Sequence, residues 1–512
     1  MSAGGTLKAG PREWIGLGVL SIACVLYTMD LTVLHLAVPQ ISADLQPTSS
    51  QLLWIIDIYG FFLAGSLITM GNLGDRIGRR KLLMIGAFTF AVTSVIAAFS
   101  TSTEMLITAL ALLGISGATL APSTLSLIRN MFQDSRQLTF AISIWITSFS
   151  IGAAIGPLVG GVLLEFFWWG SVFLIAVPIM AILLILGPKI LPEFKNPDNK
   201  KIDTVSVVLS LASILSVIYG IKQIAQDGVE YQYLLFIIMG IGVGLVFWQR
   251  QKKITNPMID LYLFKIPTFS ISLATFLLVV FVAFGIFLFI SQYLQLVVGL
   301  SPIVAGIWML PWAISFVVGS LLTPAIGRRI HPWQINVGGL IFIVIGIGLL
   351  TQVGIDSSHV FLFAGLIVSS LGIALIVTLA TNLIIVSAPP ERAGSASAIS
   401  ETTAEFGGVL GIAILGSIGA AIYRKELLDT ISSKIPSEIK NTALDTLGGA
   451  IHIAEGLSDD LKPSFLFAVK NAFVEGMHFS IIISTTLAAV TTVLVFVFLR
   501  NAKGYRLESK SD

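Results

Sequence analysis

Hydrophobic positions along the chain fall into fourteen long runs, at about 13–36, 52–70, 82–99, 105–128, 138–163, 172–186, 205–221, 234–248, 269–294, 303–322, 337–353, 360–385, 396–423 and 473–499. A helix rises ~1.5 Å per residue, so roughly 20 apolar residues cross the hydrocarbon core of a bilayer. Runs of this length predict helices, because a backbone in lipid must satisfy its N–H and C=O groups within the segment. An even number of crossings puts both termini on one side.

The basic residues say which side. If alternate connections share the side of the termini, they hold 23 of the 30 Lys and Arg, and six of the other seven lie in the one long connection, 424–471. Short loops rich in Lys and Arg are retained in the cytoplasm, whereas long loops escape that rule. Both termini are therefore expected to be cytoplasmic and 424–471 external. The apolar pattern from Ala450 to Val469 allows amphipathic helices over the outer mouth as readily as a solvated loop. The start of the chain runs into the first apolar segment without a small-residue cleavage site, which predicts a retained helix rather than a signal peptide.

Composition closes off other classes. The 512 residues are 55% apolar and 11% charged, with a mean hydropathy of +0.93; soluble domains carry about a quarter charged residues. The formal charge of +2 is spread over loops, so no nucleic-acid partner is expected. Cys24 is the single cysteine, which excludes an intrachain disulfide or a thiolate cluster. The five histidines show no metal spacing, and the glycine-rich stretches lie inside apolar helices rather than between strand and helix. No metal, no cofactor and no ATP-driven chemistry are expected on this chain, and it is not read as an enzyme.

A faint internal echo suggests a repeat, as in many transporters. Gly74 to Arg80 after the second helix recurs weakly as Ile326-Gly327-Arg328-Arg329 after the tenth, and the glycines of the fifth helix are matched by Gly407, Gly411 and Gly416 in the thirteenth. The expected organisation is a first six-helix bundle at 1–190, two inserted helices with linkers at 191–265, and a second bundle at 266–512 that carries the 424–471 loop.

Acids within apolar runs mark functional positions, because a membrane-buried carboxylate is costly. Asp30 lies ~24 Å along the first helix from Trp14. Asp57 sits near the outer end of the second helix and is expected to face the same vestibule, although a solvated helix-end acid fits equally. Glu401 and Glu405 are four apart, hence on one face of the thirteenth helix, where like charges make one of them a candidate proton carrier. Lys and Arg are absent from the helix cores, with Lys222 placed at a helix end, so the cavity is expected to select cations. Trp54, Tyr59, Trp145, Trp308 and Trp312 are candidate aromatic surfaces for them.

Two strings carry gating chemistry. Gly71-Asn-Leu-Gly74-Asp75-Arg76-Ile-Gly78-Arg79-Arg80-Lys81 reads as a tight basic loop between the second and third helices, suited to a latch between moving helices. In the fifth helix, Gly152, Gly156 and Gly160 form a smooth stripe with Pro157 and Gly161 beside it, which allows close helix packing.

The first of these strings resembles the signature of the major facilitator superfamily between helices 2 and 3. The second resembles the antiporter signature of exporters in that superfamily. Met29-Asp30-Leu-Thr-Val-Leu-His-Leu-Ala-Val-Pro39 is similar to the helix 1 signature of its drug/proton antiporters with fourteen helices, and in particular of its multidrug, quaternary ammonium and dye exporters. The resemblance implies an all-α polytopic fold of two six-helix bundles plus two inserted helices. It also implies a monomeric, proton-coupled exporter of lipophilic cations in the cell membrane, whose partners are small cationic substrates, protons and lipid. The sequence departs from the family at Leu110, where an Arg is usual, and in the tenth helix, which has no acid. A narrower exporter of one antibiotic class or an endogenous metabolite is the alternative within transport, and a membrane sensor or lipid-translocating protein lies outside it.

Overall fold

The computed structural model describes residues 9–194, 203–254, 257, 261–327, 329–355, 358–388, 393–431, 435, 437–458 and 460–500, and among them there is no strand. In chain order the helices are α1 (Pro11–Leu45), α2 (Ser49–Ile77), α3 (Arg79–Ala98), α4 (Thr103–Gly117), α5 (Leu120–Met131), α6 (Ser135–Phe166), α7 (Ser171–Leu174), α8 (Ala176–Ile190), α9 (Thr204–Asp227) and α10 (Tyr231–Lys253). They continue as α11 (Pro267–Gln292), α12 (Pro302–Gly327), α13 (Pro332–Leu350), α14 (His359–Ser387), α15 (Ala393–Thr430), α16 (Ser437–Asp445), α17 (Leu447–Ile453) and α18 (Lys462–Arg500). Thirteen spans of described residues are long and apolar enough to cross a membrane, with α4 and α5 making one and α7 and α8 another. The remaining run is α6, whose 32 residues hold two shorter apolar stretches, Phe140–Phe149 and Ile155–Phe166. The protein is an all-α multi-pass membrane protein.

The stretch expected as a basic loop is helical except at one residue. α2 runs to Ile77, α3 begins at Arg79, and Gly78 turns the chain between them with φ 114°. That value favours glycine, and a Cβ there would also come 2.5 Å from Glu193. Glu193 lies just beyond α8 and accepts the backbone N–H groups of Arg80 and Lys81 at 3.1 and 3.2 Å. The anion thus sits where the start of α3 leaves its donors unpaired. The end of the bundle with Gly78 is here the basic end.

Glycine sets how closely the helices approach. A Cβ on Gly152 would come 2.2 Å from the Val25 carbonyl oxygen, one on Gly156 1.9 Å from Thr32 Oγ1, and one on Gly160 2.9 Å from Val33, all on α1. The same device recurs where α15 meets α11: a Cβ on Gly407 would lie 2.9 Å from the Leu277 oxygen, and one on Gly411 2.0 Å from the Phe281 oxygen. Gly161 faces the other way, with a would-be Cβ 2.7 Å from the Pro302 oxygen of α12, while Gly306 of α12 packs on Pro157. The stripe of Gly152, Gly156 and Gly160 read from the sequence thus packs on α1, while Pro157 and Gly161 beside it face α12. Gly152→Val and Gly411→Val are each expected to destabilise the protein by about 1–3 kcal/mol or more, because a backbone carbonyl cannot swing aside. Gly18→Val, with open space around it, is the control. Thermal unfolding in detergent reads the difference, and equal midpoints for all three would count against close packing as the role of these glycines.

The long connection is folded rather than solvated. α15 continues to Thr430, and α16 and α17 lie over the end of the bundle opposite Gly78, here the capped end. A Cβ on Gly448 would come 2.8 Å from Ser42 at the end of α1. Ser49 donates to the Asp445 carbonyl, and Tyr423 Oη to the Ala443 carbonyl at 2.6 Å. Leu447, Ala450 and Ala454 are buried, so the apolar pattern seen in this loop has a packing partner.

Candidate functional site

A cavity of about 330 Å³ lies between α1, α2, α6, α11, α12, α14 and α15. One wall is a chain of rings. His35 meets Phe287 edge to face at 5.2 Å between centroids, Phe287 lies 5.6 Å from Trp312, and Trp312 stacks on Phe316 at 5.9 Å and 20°. His35 is buried, and its Nδ1 has no hydrogen-bond partner among the described residues. On α15, Glu405 is the one carboxylate among the described lining residues, and none of those residues is a Lys or Arg. Thr28, Thr32 and Gly408 complete its polar and small surface.

Glu405 is held from across the bundle, since Tyr27 Oη on α1 donates to its Oε1 at 2.9 Å. Glu401 lies one turn nearer the basic end, within electrostatic reach of Glu405 and of Arg129 on α5. Asp30 is three residues from Tyr27 on α1, and its Oδ2 is buried without a hydrogen-bond partner. Tyr59 Oη on α2 is likewise buried and unpartnered, with Asp30 and Glu405 both in electrostatic reach. Buried polar atoms without partners are rare and call for a role. The structure thus brings Asp30, Tyr27, Tyr59 and Glu405 together where α1, α2 and α15 meet. Leu110 of α4, where a family Arg was expected, is fully buried.

Asp57 is placed elsewhere. Lys222 Nζ of α9 donates to its Oδ1 at 2.9 Å and lies 2.8 Å from Oδ2, an ionic contact in which both side chains are excluded from solvent. The expectation that Asp57 faces the vestibule of Asp30 is corrected, as is its alternative of a solvated helix-end acid, since Asp57 is buried. Lys222 lies five residues before the end of α9 and is 1% exposed. An acid in low dielectric needs a cation, and α9 supplies it.

The aromatic set divides in the same way. Of the five candidates, only Trp312 lines the cavity. Trp54 lies under Lys222, with Nζ 3.9 Å from its ring centroid, and borders a separate groove with Tyr219 and Phe236. Trp145 is turned away, its Nε1 donating to Thr124 Oγ1 at 3.0 Å, although its ring supports the cavity residue Phe149 at 4.7 Å. Trp308 packs on His359 and Phe363. An indole carries a donor that must be satisfied when buried, and for Trp145 Thr124 supplies that partner. Phe287 and Phe316 were not singled out in the sequence, where they are two of 32 phenylalanines.

At the basic end, Gly74 packs on Arg79, and Gly71 lies in ordinary contact with Pro122 of α5. Arg79 Nη1 donates to the Pro122 carbonyl at 3.4 Å, and Arg80 Nη1 to the Leu191 carbonyl at 3.0 Å. Arg76 is exposed, and the Asp75 side chain lies outside the described residues. No three His, Cys, Asp or Glu side chains converge as a metal site among the described residues.

Membrane-spanning helices packed around a cavity that holds a carboxylate are the architecture of a membrane transporter. The pattern of the Major Facilitator Superfamily matches residues 20–412, and the chain belongs to that family. It is 39% identical to the multidrug efflux pump LfrA of Mycolicibacterium smegmatis, over 97% of this chain and 98% of that protein. It is 31% identical to the methyl viologen resistance protein SmvA of Salmonella typhimurium, over 90% and 93%. Among solved structures it is similar to a bacterial homologue of the human lysosomal transporter Spinster in its inward-facing, unoccupied conformation, with a TM-score of 0.64, 17% identity, and coverage of 96% and 98%.

Proposed function

We propose that the protein exports lipophilic cationic drugs, including quaternary ammonium antiseptics and dyes, from the cytoplasm in exchange for protons. The observation that carries this reading is the lone carboxylate of Glu405 in a cavity walled by a chain of aromatic rings, with no Lys or Arg among its described lining residues. A flat organic cation gains ring contact on one side and charge on the other. The relatives support it, one being named a multidrug efflux pump and another for resistance to methyl viologen, itself a flat organic dication.

The mechanism follows from competition for the same carboxylates. The basic end faces the cytoplasm, with both termini on that side of the cell membrane. The two bundles, 1–190 and 266–512, rock about the cavity. Hydrogen bonds that join them lie at mid-depth or toward the capped end, from Ser291 to the His35 carbonyl, Gln295 to the Leu36 carbonyl, and Tyr27 to Glu405. This supports a form closed on the outside. A cation enters from the cytoplasm and meets Glu405. Once the outer end opens, protons reach Glu405, Glu401 and Asp30, neutralise the charge and release the cation, and the return to the inward form delivers those protons inside. Asp57 acts apart from this group, through its ion pair.

We assign gating to Gly71, Gly74, Asp75, Arg76, Gly78, Arg79 and Arg80 at the turn between α2 and α3, and to Gly152, Gly156, Pro157, Gly160 and Gly161, where α6 approaches α1 and α12 closely. Asp75→Asn is expected to slow turnover several-fold with substrate binding retained. A changed binding constant with unchanged turnover would count against a gating role.

The test of function is ethidium transport in everted vesicles, with a pH gradient imposed alone and then a voltage alone. Accumulation driven by the pH gradient and collapsed by an uncoupler is expected. Accumulation indifferent to both would remove proton coupling, and absence of any cation transport would remove the substrate class.

A further inference from the structure

The ion pair outside the cavity occupies a seam. α9 packs against both α2 and α15, and α10 packs on α9. Toward α2 the contact is charged as well as close: Lys222 grips Asp57 over the ring of Trp54, and a Cβ on Gly65 would come 2.3 Å from Leu211 Cδ2 of α9. Toward α15 the contact is apolar, with Ile218 in one buried cluster with Phe61 of α2 and with Val409 and Ala413 of α15. Next to this cluster, α2 and α15 touch directly through Leu53 and Gly416 and through Gly60 and Val409.

These two contacts respond differently to separation. Pulling apart a buried ion pair leaves two charges without partners in a low dielectric, whereas apolar side chains leaving each other in a membrane meet lipid tails of the same polarity. A helix that bridges the seam keeps the first contact and gives up the second.

We propose that Lys222 is a positioning residue that fastens the α9–α10 hairpin to the first bundle, so that the hairpin travels with α2 and parts from α15 when the capped end opens. It thereby covers, on the lipid side, the gap that opens between α2 and α15. This inference rests on the alternating-access reading above, and deepens it by assigning the inserted helices to one moving body.

The test uses the full chain with Cys24→Ser, three engineered cysteine pairs and a short bifunctional methanethiosulfonate that a reductant reverses. Linking α2 to α9 through Gly65→Cys and Leu211→Cys is expected to leave at least half of ethidium efflux. Linking α9 to α15 through Ile218→Cys and Val409→Cys is expected to lower efflux at least tenfold, with recovery on reduction. The control joins the seam itself through Leu53→Cys and Gly416→Cys, and should also stop efflux. Arrest by the α2–α9 link, or full efflux with α9 tied to α15, overturns the inference while the control still stops transport. Full efflux with the seam tied overturns the alternating-access reading and this inference with it. In the Asp57→Asn, Lys222→Met double variant the α2–α9 pair should link several-fold more slowly, and an unchanged rate would show that the ion pair does not fasten the hairpin.

Discussion

Glu405→Gln is expected to lower export of cationic substrates by roughly 10- to 100-fold while leaving the yield of folded protein unchanged. A hydrogen bond or contact to a charged group contributes about 1.5–3 kcal/mol, and each ~1.4 kcal/mol is a factor of ten in affinity. The glutamine keeps the shape of the side chain and still accepts from Tyr27 Oη, so folding has no reason to suffer. Neutral planar substrates, bound by Phe287, Trp312 and Phe316 alone, should lose far less than cations of the same size. A uniform loss for charged and neutral substrates would show that Glu405 does not read charge. Asp30→Asn removes an acid that does not line the cavity but shares the buried cluster with Tyr59 and Glu405. It should abolish pH-driven exchange for every substrate, and retained uncoupler-sensitive ethidium efflux would exclude it as a proton site.

The second large effect is structural. Lys222→Met leaves the Asp57 carboxylate in a site shielded from water without its cation, at a cost of about 3–5 kcal/mol. A marked fall in the thermal midpoint in detergent, and in the yield of monodisperse protein, is expected. Adding Asp57→Asn removes the orphaned charge, and the double variant should return to within about 1–2 kcal/mol of the parent, since replacing both members of a buried pair is often close to neutral. Additive losses in the double variant would show that the two side chains do not act on each other.

The periodicity of the runs and the excess of bases in alternate loops determined, from the sequence alone, the number of long helices and the class of fold. The cause is that lipid permits few ways of satisfying a backbone, so length and hydropathy suffice. The glycines of α6 and α15 were also legible, because only glycine lets backbones approach at spacing four. Their repetition paired α6 with α15, while the helices they pack on, α1 and α11, were supplied by the structure. Which acids sit together was not legible. Asp30 and Asp57 look alike in sequence, each a lone carboxylate in an apolar helix, and their surroundings diverge only because α9, more than 140 residues further along, brings Lys222 to one of them. The same holds for the aromatic residues: a periodic pattern places a tryptophan on a helix face, but the partner of its N–H chooses its direction, as Thr124 does for Trp145. The basic loop after α2 shrank to Gly78 because Glu193, over a hundred residues away in sequence, caps the helix that follows. Hydropathy and spacing act along the chain and can be read there, whereas neutralisation of a buried charge, satisfaction of a donor and the shape of a cavity depend on what other helices bring, and only the tertiary structure decided them.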